Sequence, residues 1–261
     1  MSLSPLEHWR LTDSYRDIGG DGEGSRAYDF FHMNSVDKDA RGNYLTSSRY
    51  MHSLTYINGK TGEVIWFLGG KRNMFRDLSS GTATNFAYQH DARWSGNDTI
   101  TFFDNGVDDG HPNIAPTRGL RVKLDENAMT AEVVQEYFNP HKIHGLSQGS
   151  FQILSNGNVF LGYGNSAAFT EYTSDGEVLY DTHFGQFGTG GAQSYRVYKY
   201  EWHGYPTSNP SAAIRRNNSR NWNFYVSWNG ATEVFKWVLQ GSDNITSTDE
   251  QQLLYTRKDT C

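Results

Sequence analysis

Cysteine is nearly absent: the only one, Cys261, is the last residue. No internal disulfide can form, so the fold has to rest on packing and hydrogen bonds, and a reducing compartment is allowed without being demanded. Long apolar runs are missing too. None approaches the roughly 20 residues that a helix needs to cross a bilayer, which speaks against membrane insertion. Positive charge is in deficit, with 23 Lys and Arg against 29 Asp and Glu for a net charge of −6. No basic cluster stands out that could track phosphates, so nucleic acid is not an expected partner. Met1 to Trp9 lacks the basic start and apolar middle of a secretory signal. Three N-x-S/T triplets, at Asn97, Asn217 and Asn244, are compatible with a secretory route but do not define a compartment. Proline is scarce at 6 residues, whereas glycine is plentiful at 27.

That ratio suits tight turns between short strands, and an aromatic content of 15% supplies residues that fill the space between sheets. Four stretches share one layout, a run of strands closed by Gly-rich hairpins: Asp29 to Gly70, Phe86 to Tyr137, Gly145 to Gly185 and Ser194 to Gly241. In the first, alternation predicts strands over Phe30 to Val36, Tyr44 to Arg49, Ser53 to Asn58 and Val64 to Leu68. The third repeats the pattern over Gly149 to Leu154, Val159 to Tyr163, Phe169 to Thr173 and Val178 to His183. Loops from Gly106 to Thr117 and from Gly204 to Asn221 stretch the second and fourth, and Leu253 to Thr256 reads as the outer strand of the last. Four-stranded units recurring at this spacing predict an all-β fold, a β-propeller in one domain over 1–261, with blades near 28–70, 86–137, 145–185 and 194–256. Trp66, Trp228 and Trp237 are expected between blades.

The first two stretches set a histidine, His32 or His90, where their innermost strand begins. In a generic β protein such a residue simply bonds to backbone, and Arg49 makes a salt bridge. At a propeller axis, however, strands from distant positions in the sequence converge on one pocket. Gln148, Arg196 and Asn229 fall near the equivalent entries of the third and fourth stretches, and Arg118 precedes the strand Leu120 to Leu124, so all four are candidate pocket residues. Asp104-Asn105-Gly106 reads as a turn rather than a ligand set, and Asp104, Asp108, Asp109 and His111 suggest a cation loop only faintly. His141 and His144 have HxxH spacing with no third ligand in view. No metal or other cofactor is expected.

The segments Phe31-His-Met-Asn-Ser-Val-Asp37, Ser47-Ser-Arg49, Thr61-Gly-Glu-Val-Ile-Trp66, Leu68-Gly-Gly70, Gln89-His-Asp-Ala92 and Phe103-Asp-Asn-Gly106, followed by Ser147-Gln-Gly149, Ser194-Tyr-Arg196 and Ser227-Trp-Asn-Gly-Ala-Thr-Glu233, resemble the arylsulfotransferase (ASST) family, its fungal branch in particular. The resemblance implies a propeller enzyme that moves a sulfuryl group from an aryl sulfate to a phenol through a sulfated histidine, without a nucleotide donor. It places the nucleophile on His90 and the groups that grip the sulfuryl oxygens on His32, Asn34 and Arg49. It also implies further blades ahead of the HxN element in relatives, with another active-site histidine to which His8 does not align. Period-two alternation would put His32 and Asn34 on one strand face, and Asp91 on the face opposite His90. Two other classes stay open on the residues alone. One is a cyclase or isomerase that has taken over the pocket, and the other is a propeller that binds glycans or aryl ligands without chemistry.

Overall fold

The computed structural model describes residues 4–16, 28–96, 98–107, 117–186, 191–219, 221–241 and 252–257. Asn97, Asn244, Asp108, Asp109 and His111 lie outside the described residues. The chain divides into two compact units, Met1–Lys199 and Tyr200–Cys261. Among the described residues the only α-helix is α1 (Pro5–His8), and no helix is long and apolar enough to cross a membrane.

The first unit is built from three antiparallel meanders. β1 (Met33–Lys38), β2 (Tyr44–Ser48), β3 (Ser53–Ile57) and β4 (Val64–Gly69) pair in sequence order. Their turns carry the chemistry that the sequence advertises. Asp39 Oδ1 accepts the Asn43 N–H at 2.8 Å, and Asn58 Oδ1 accepts from the N–H groups of Lys60 and Thr61. In the second sheet, β6 (His90–Trp94), β7 (Thr99–Asp104), β8 (Arg118–Asp125) and β9 (Thr130–Phe138) form the meander, and the short β5 (Arg76–Asp77) adds in parallel beside β9. β10 (Ser150–Ile153), β11 (Val159–Gly162), β12 (Ala168–Tyr172) and β13 (Val178–His183) make the third, within a few residues of the expected strands.

Successive sheets pack face on face, and a middle sheet must then be apolar on both sides. β7 meets that demand, since all six of its residues are buried. Ile100 and Phe102 join Leu45, Leu54, Tyr56, Trp66 and Leu68 of the first sheet, whereas the neighbouring Phe103 turns to Phe151, Leu161 and Tyr163 of the third. The two-residue alternation of one strand thus serves two cores. Trp66, 1% exposed, stands edge-on to Phe75 and Trp94 within this packing, the inter-blade position expected for it.

The innermost strands are stitched side chain to backbone. Ser35 Oγ and Asp37 Oδ2 accept the N–H groups of Ala92 and Trp94, at 3.0 and 2.9 Å, and Asp91 Oδ2 accepts the Phe151 N–H at 3.1 Å. These bonds lay β6 between β1 and β10, the radial arrangement of propeller blades. The all-β, four-stranded reading therefore holds for this unit.

The second unit differs from expectation. It holds two separate hairpins, β14 (Ser211–Arg216) with β15 (Trp222–Ser227), and β16 (Trp237–Gly241) with β17 (Gln252–Arg257), rather than one four-stranded sheet. β14 falls inside the segment read as the loop Gly204 to Asn221. Its Ser-Ala-Ala-Ile-Arg-Arg sequence has little apolar alternation, and pairing with β15 across the turn Asn217–Asn221 decides its conformation. Leu253 to Thr256 does lie in a strand, β17, but it pairs with β16 in a two-stranded sheet and is not the outer strand of a four-stranded blade.

Candidate active site

His90 opens β6 and is 2% exposed. Its Nδ1 lies 2.8 Å from Oδ1 of Asn105. Asn105 is itself fully buried, and its Nδ2 donates to the carbonyls of Gly145 (2.5 Å) and Gln148 (3.0 Å). The side-chain amide is thereby oriented, and the atom facing the imidazole can only accept. The ring's proton therefore sits on Nδ1, and Nε2 keeps its lone pair. That lone pair receives the backbone N–H of Gln148 at 3.2 Å. Burial pushes the pKa of His90 down to about 4, and the charges of Arg49 and His32 add to the shift against the bond to Asn105. At neutral pH His90 is an uncharged imidazole in a fixed tautomer.

Arg49 lies in a single 3-10 turn, Arg49–Met51, between β2 and β3. Its guanidinium rests 4.1 Å above the ring of Tyr88 and 5.4 Å from that of Tyr50, and no carboxylate among the described residues pairs with it. Its buried Nε has no hydrogen-bond partner. A permanent cation held on aromatic faces, with N–H groups left over, is suited to a tetrahedral oxyanion.

His32 does not share a strand face with Asn34, contrary to the alternation argument. It precedes β1 in a left-handed conformation, φ 50°, and the register of β1 on β2 shifts between Met33 and Ser35. Period two fails because His32 is outside the pleated strand and the bulge interrupts it. His32 Nδ1 sits 2.6 Å from Asp29, and the ring stands edge-on to Tyr50. Asn34 donates to the Gln89 carbonyl at 2.7 Å, which holds the residue before His90, and its Oδ1 is buried without a partner. Gln89 is fully buried, and its amide nitrogen donates to Ser47 Oγ and to the carbonyls of Ser48 and Ser53.

Of the blade-equivalent candidates, Gln148 comes directly to His90. Arg196 comes near but is already engaged: it pairs with Asp91 at 3.2 Å and donates to the Asn34 carbonyl at 2.9 Å. Asp91, fully buried, also binds Arg93 and the Phe151 N–H, so it ties strands together and does not orient His90. Arg118 is buried in an ion pair with Asp104 (3.0 Å) and Glu136 (2.5 Å) and is not brought to the imidazole. Asn229 lies exposed in the second unit, in the turn after β15. Asn105 is the residue that sequence reasoning passed over as part of a turn. The available signal was its place, one residue beyond the end of β7, in a segment carrying the family resemblance. The HxxH pair does not assemble into a ligand set: His141 instead approaches Asp181 and His183.

This is a propeller-type protein with a buried, neutral histidine at the start of an innermost strand. The chain belongs to the arylsulfotransferase (ASST) family, whose model matches residues 3–185, a span that includes His32, Asn34, Arg49, His90, Asn105 and Gln148. A search of curated proteins found no match. Among solved structures, a protein of unknown function from Bacteroides caccae is 15% identical over 61% of this chain and 48% of its own, with a TM-score of 0.35. The PQQ-bound aldose sugar dehydrogenase of Streptomyces coelicolor is 16% identical over 62% and 48%, TM-score 0.36. A catalytically inactive virginiamycin B lyase of Staphylococcus aureus with quinupristin is 12% identical over 74% and 63%, TM-score 0.33. The chain thus spans about half the length of the first two, and likenesses this distant leave the architecture to be described from its own sheets.

Proposed function

We propose that the protein transfers a sulfuryl group from an aryl sulfate to a phenolic acceptor, with His90 as the transient carrier. The observation that supports this reading most directly is the tautomer of His90: Nδ1–H is committed to Asn105, and Nε2 has a lone pair at neutral pH.

Nε2 attacks sulfur, the S–O bond to the aromatic ring breaks, and the phenolate leaves with the bonding pair. The sulfated imidazole retains Nδ1–H, and its positive charge is spread over the ring and supported by the Asn105 carbonyl. An acceptor phenolate then attacks sulfur, the N–S bond breaks, and the lone pair returns to Nε2. Charge on the equatorial sulfuryl oxygens is met by Arg49 and the Gln148 N–H, while Asn34, whose Nδ2 donates to the Gln89 carbonyl, holds the residue before His90 in place. Nε2 has to exchange the Gln148 N–H for sulfur, and that N–H is then placed to bond a sulfuryl oxygen.

The test is incubation with a chromogenic aryl sulfate. Phenol release and a mass gain of one SO₃ group on the Gln89 to Arg93 peptide, both lost in His90→Gln, are expected. Turnover that survives this substitution would sink the reading and favour another pocket chemistry.

A further inference from the structure

We propose that His141, Asp181 and His183 bind one divalent transition-metal ion of the zinc type. The three residues come from two elements of the first unit. His141 sits in the connection between β9 and β10, while Asp181 and His183 are alternate residues of β13 and share one face of it. One ligand atom from each lies within 4.8 Å of the other two. His183 Nε2 is 2.9 Å, and His141 Nε2 3.5 Å, from the same carboxylate oxygen, Asp181 Oδ2. The two rings stand edge to face with centroids 5.1 Å apart.

Two features distinguish this cluster from an ordinary surface ion pair. The first is that both imidazoles aim the same nitrogen, Nε2, at a single oxygen, Asp181 Oδ2, so that three ligand-type atoms converge on one point. A cation of zinc's size, with bonds of about 2.0–2.2 Å to nitrogen and oxygen, draws three such atoms together at separations close to those present. The second is the fixed carboxylate. Asp181 Oδ1 accepts from Asn139 Nδ2 at 3.0 Å and Thr170 Oγ1 at 2.6 Å, and Asn139 also donates to Thr170. Asn139 is 2% exposed and Thr170 fully buried. One carboxylate oxygen is thus saturated from below by buried partners, and the other is turned outward to the two imidazoles, the orientation that outer partners impose on a metal-binding carboxylate. His141 (58% exposed) and His183 (33%) form the outer wall, so a bound ion keeps an open side for water.

The placement gives the ion a role. The connection that starts at Asn139 and His141 ends at Gly145 and Gln148, whose carbonyls hold Asn105 and whose N–H meets His90. An ion joining His141 to β13 pins the far end of that connection to the third sheet.

The experiment uses the full, untagged chain, stripped with chelator and titrated at neutral pH with Zn²⁺ in a calorimeter and with Co²⁺ by visible absorption. One equivalent is expected to bind, with a Co²⁺ spectrum of low coordination number. His141→Ala, at an exposed position that leaves the fold intact, and His183→Ala should each weaken binding more than about 100-fold, and Asn139→Ala by about 10- to 100-fold through the carboxylate it orients. His90→Gln should bind as the unaltered chain does, which separates this site from the sulfuryl-transfer reading. Absence of saturable binding, or affinity unchanged in His141→Ala, overturns the proposal.

Discussion

At the scale of single residues, His90 carries the most information. Its folded pKa, about 4, lies below the ordinary value of 6.5. The unfolded chain therefore binds a proton that the folded chain refuses, and stability rises with pH between the two values. The contribution is fully present above pH 6.5 and is lost as the pH falls through the window down to 4. Urea unfolding at pH 7 and pH 5 should show about 2 kcal/mol of acid-induced loss that is missing in His90→Gln. For the same reason the acid limb of kcat/KM with an aryl sulfate should fall near pH 4 rather than 6.5, read from initial rates. Asn105 tests the tautomer. Asn105→Ala leaves Nδ1–H without its acceptor and should lower phenol release about 10- to 100-fold, whereas Asn105→Asp supplies a carboxylate that raises the His90 pKa and should move the acid limb upward.

At the scale of elements, the elbow that enters β10 holds the site together. Gln148 (φ 65°) and Gly149 (φ 121°) are both left-handed, and a Cβ added to Gly149 would stand 2.3 Å from the Phe103 ring. Gly149→Ala meets strain and overlap at once and should cost about 2–4 kcal/mol, measured as a drop in the urea midpoint, with displacement of the Gln148 N–H from His90. Strands of this kind were legible in advance. Asn158 after a Ser-Asn-Gly turn and the short apolar run Val159 to Gly162, buried at every position, mark β11 from neighbours alone. The positions of His90 and Gln148 at strand entries were readable for the same reason. The left-handed turn at His32 was not, because histidine carries no turn signature and the bulge beside it depends on pairing with β2. Nor was Asn105 legible as a partner of His90, since Asp-Asn-Gly spells a turn, and only tertiary packing reveals the amide's use. Arg118 and Arg196 looked free in a linear text that does not show Asp104, Glu136 or Asp91 approaching them.

At the scale of the whole molecule, the two units differ in how their backbones are protected. The first buries both faces of β7, while β14 is exposed along its entire length and β15 nearly so. Native-state hydrogen exchange should therefore find amides of 211–227 opening with much lower free energy than those of β7 and β8; equal protection would contradict this. Charge pairing has the widest reach. Arg93, Arg118 and Arg196 each face a carboxylate, His32 faces Asp29, and His90 is neutral, while Arg49, whose charge acts on the imidazole, has no carboxylate partner among the described residues. A single positive charge balances a sulfate monoester, which is a monoanion, and falls one short for the corresponding phosphate, largely a dianion at neutral pH. The arrangement thus sorts isosteric esters by valence rather than by shape, and 4-nitrophenyl phosphate should compete poorly with its sulfate counterpart until the medium is acidified enough to protonate it.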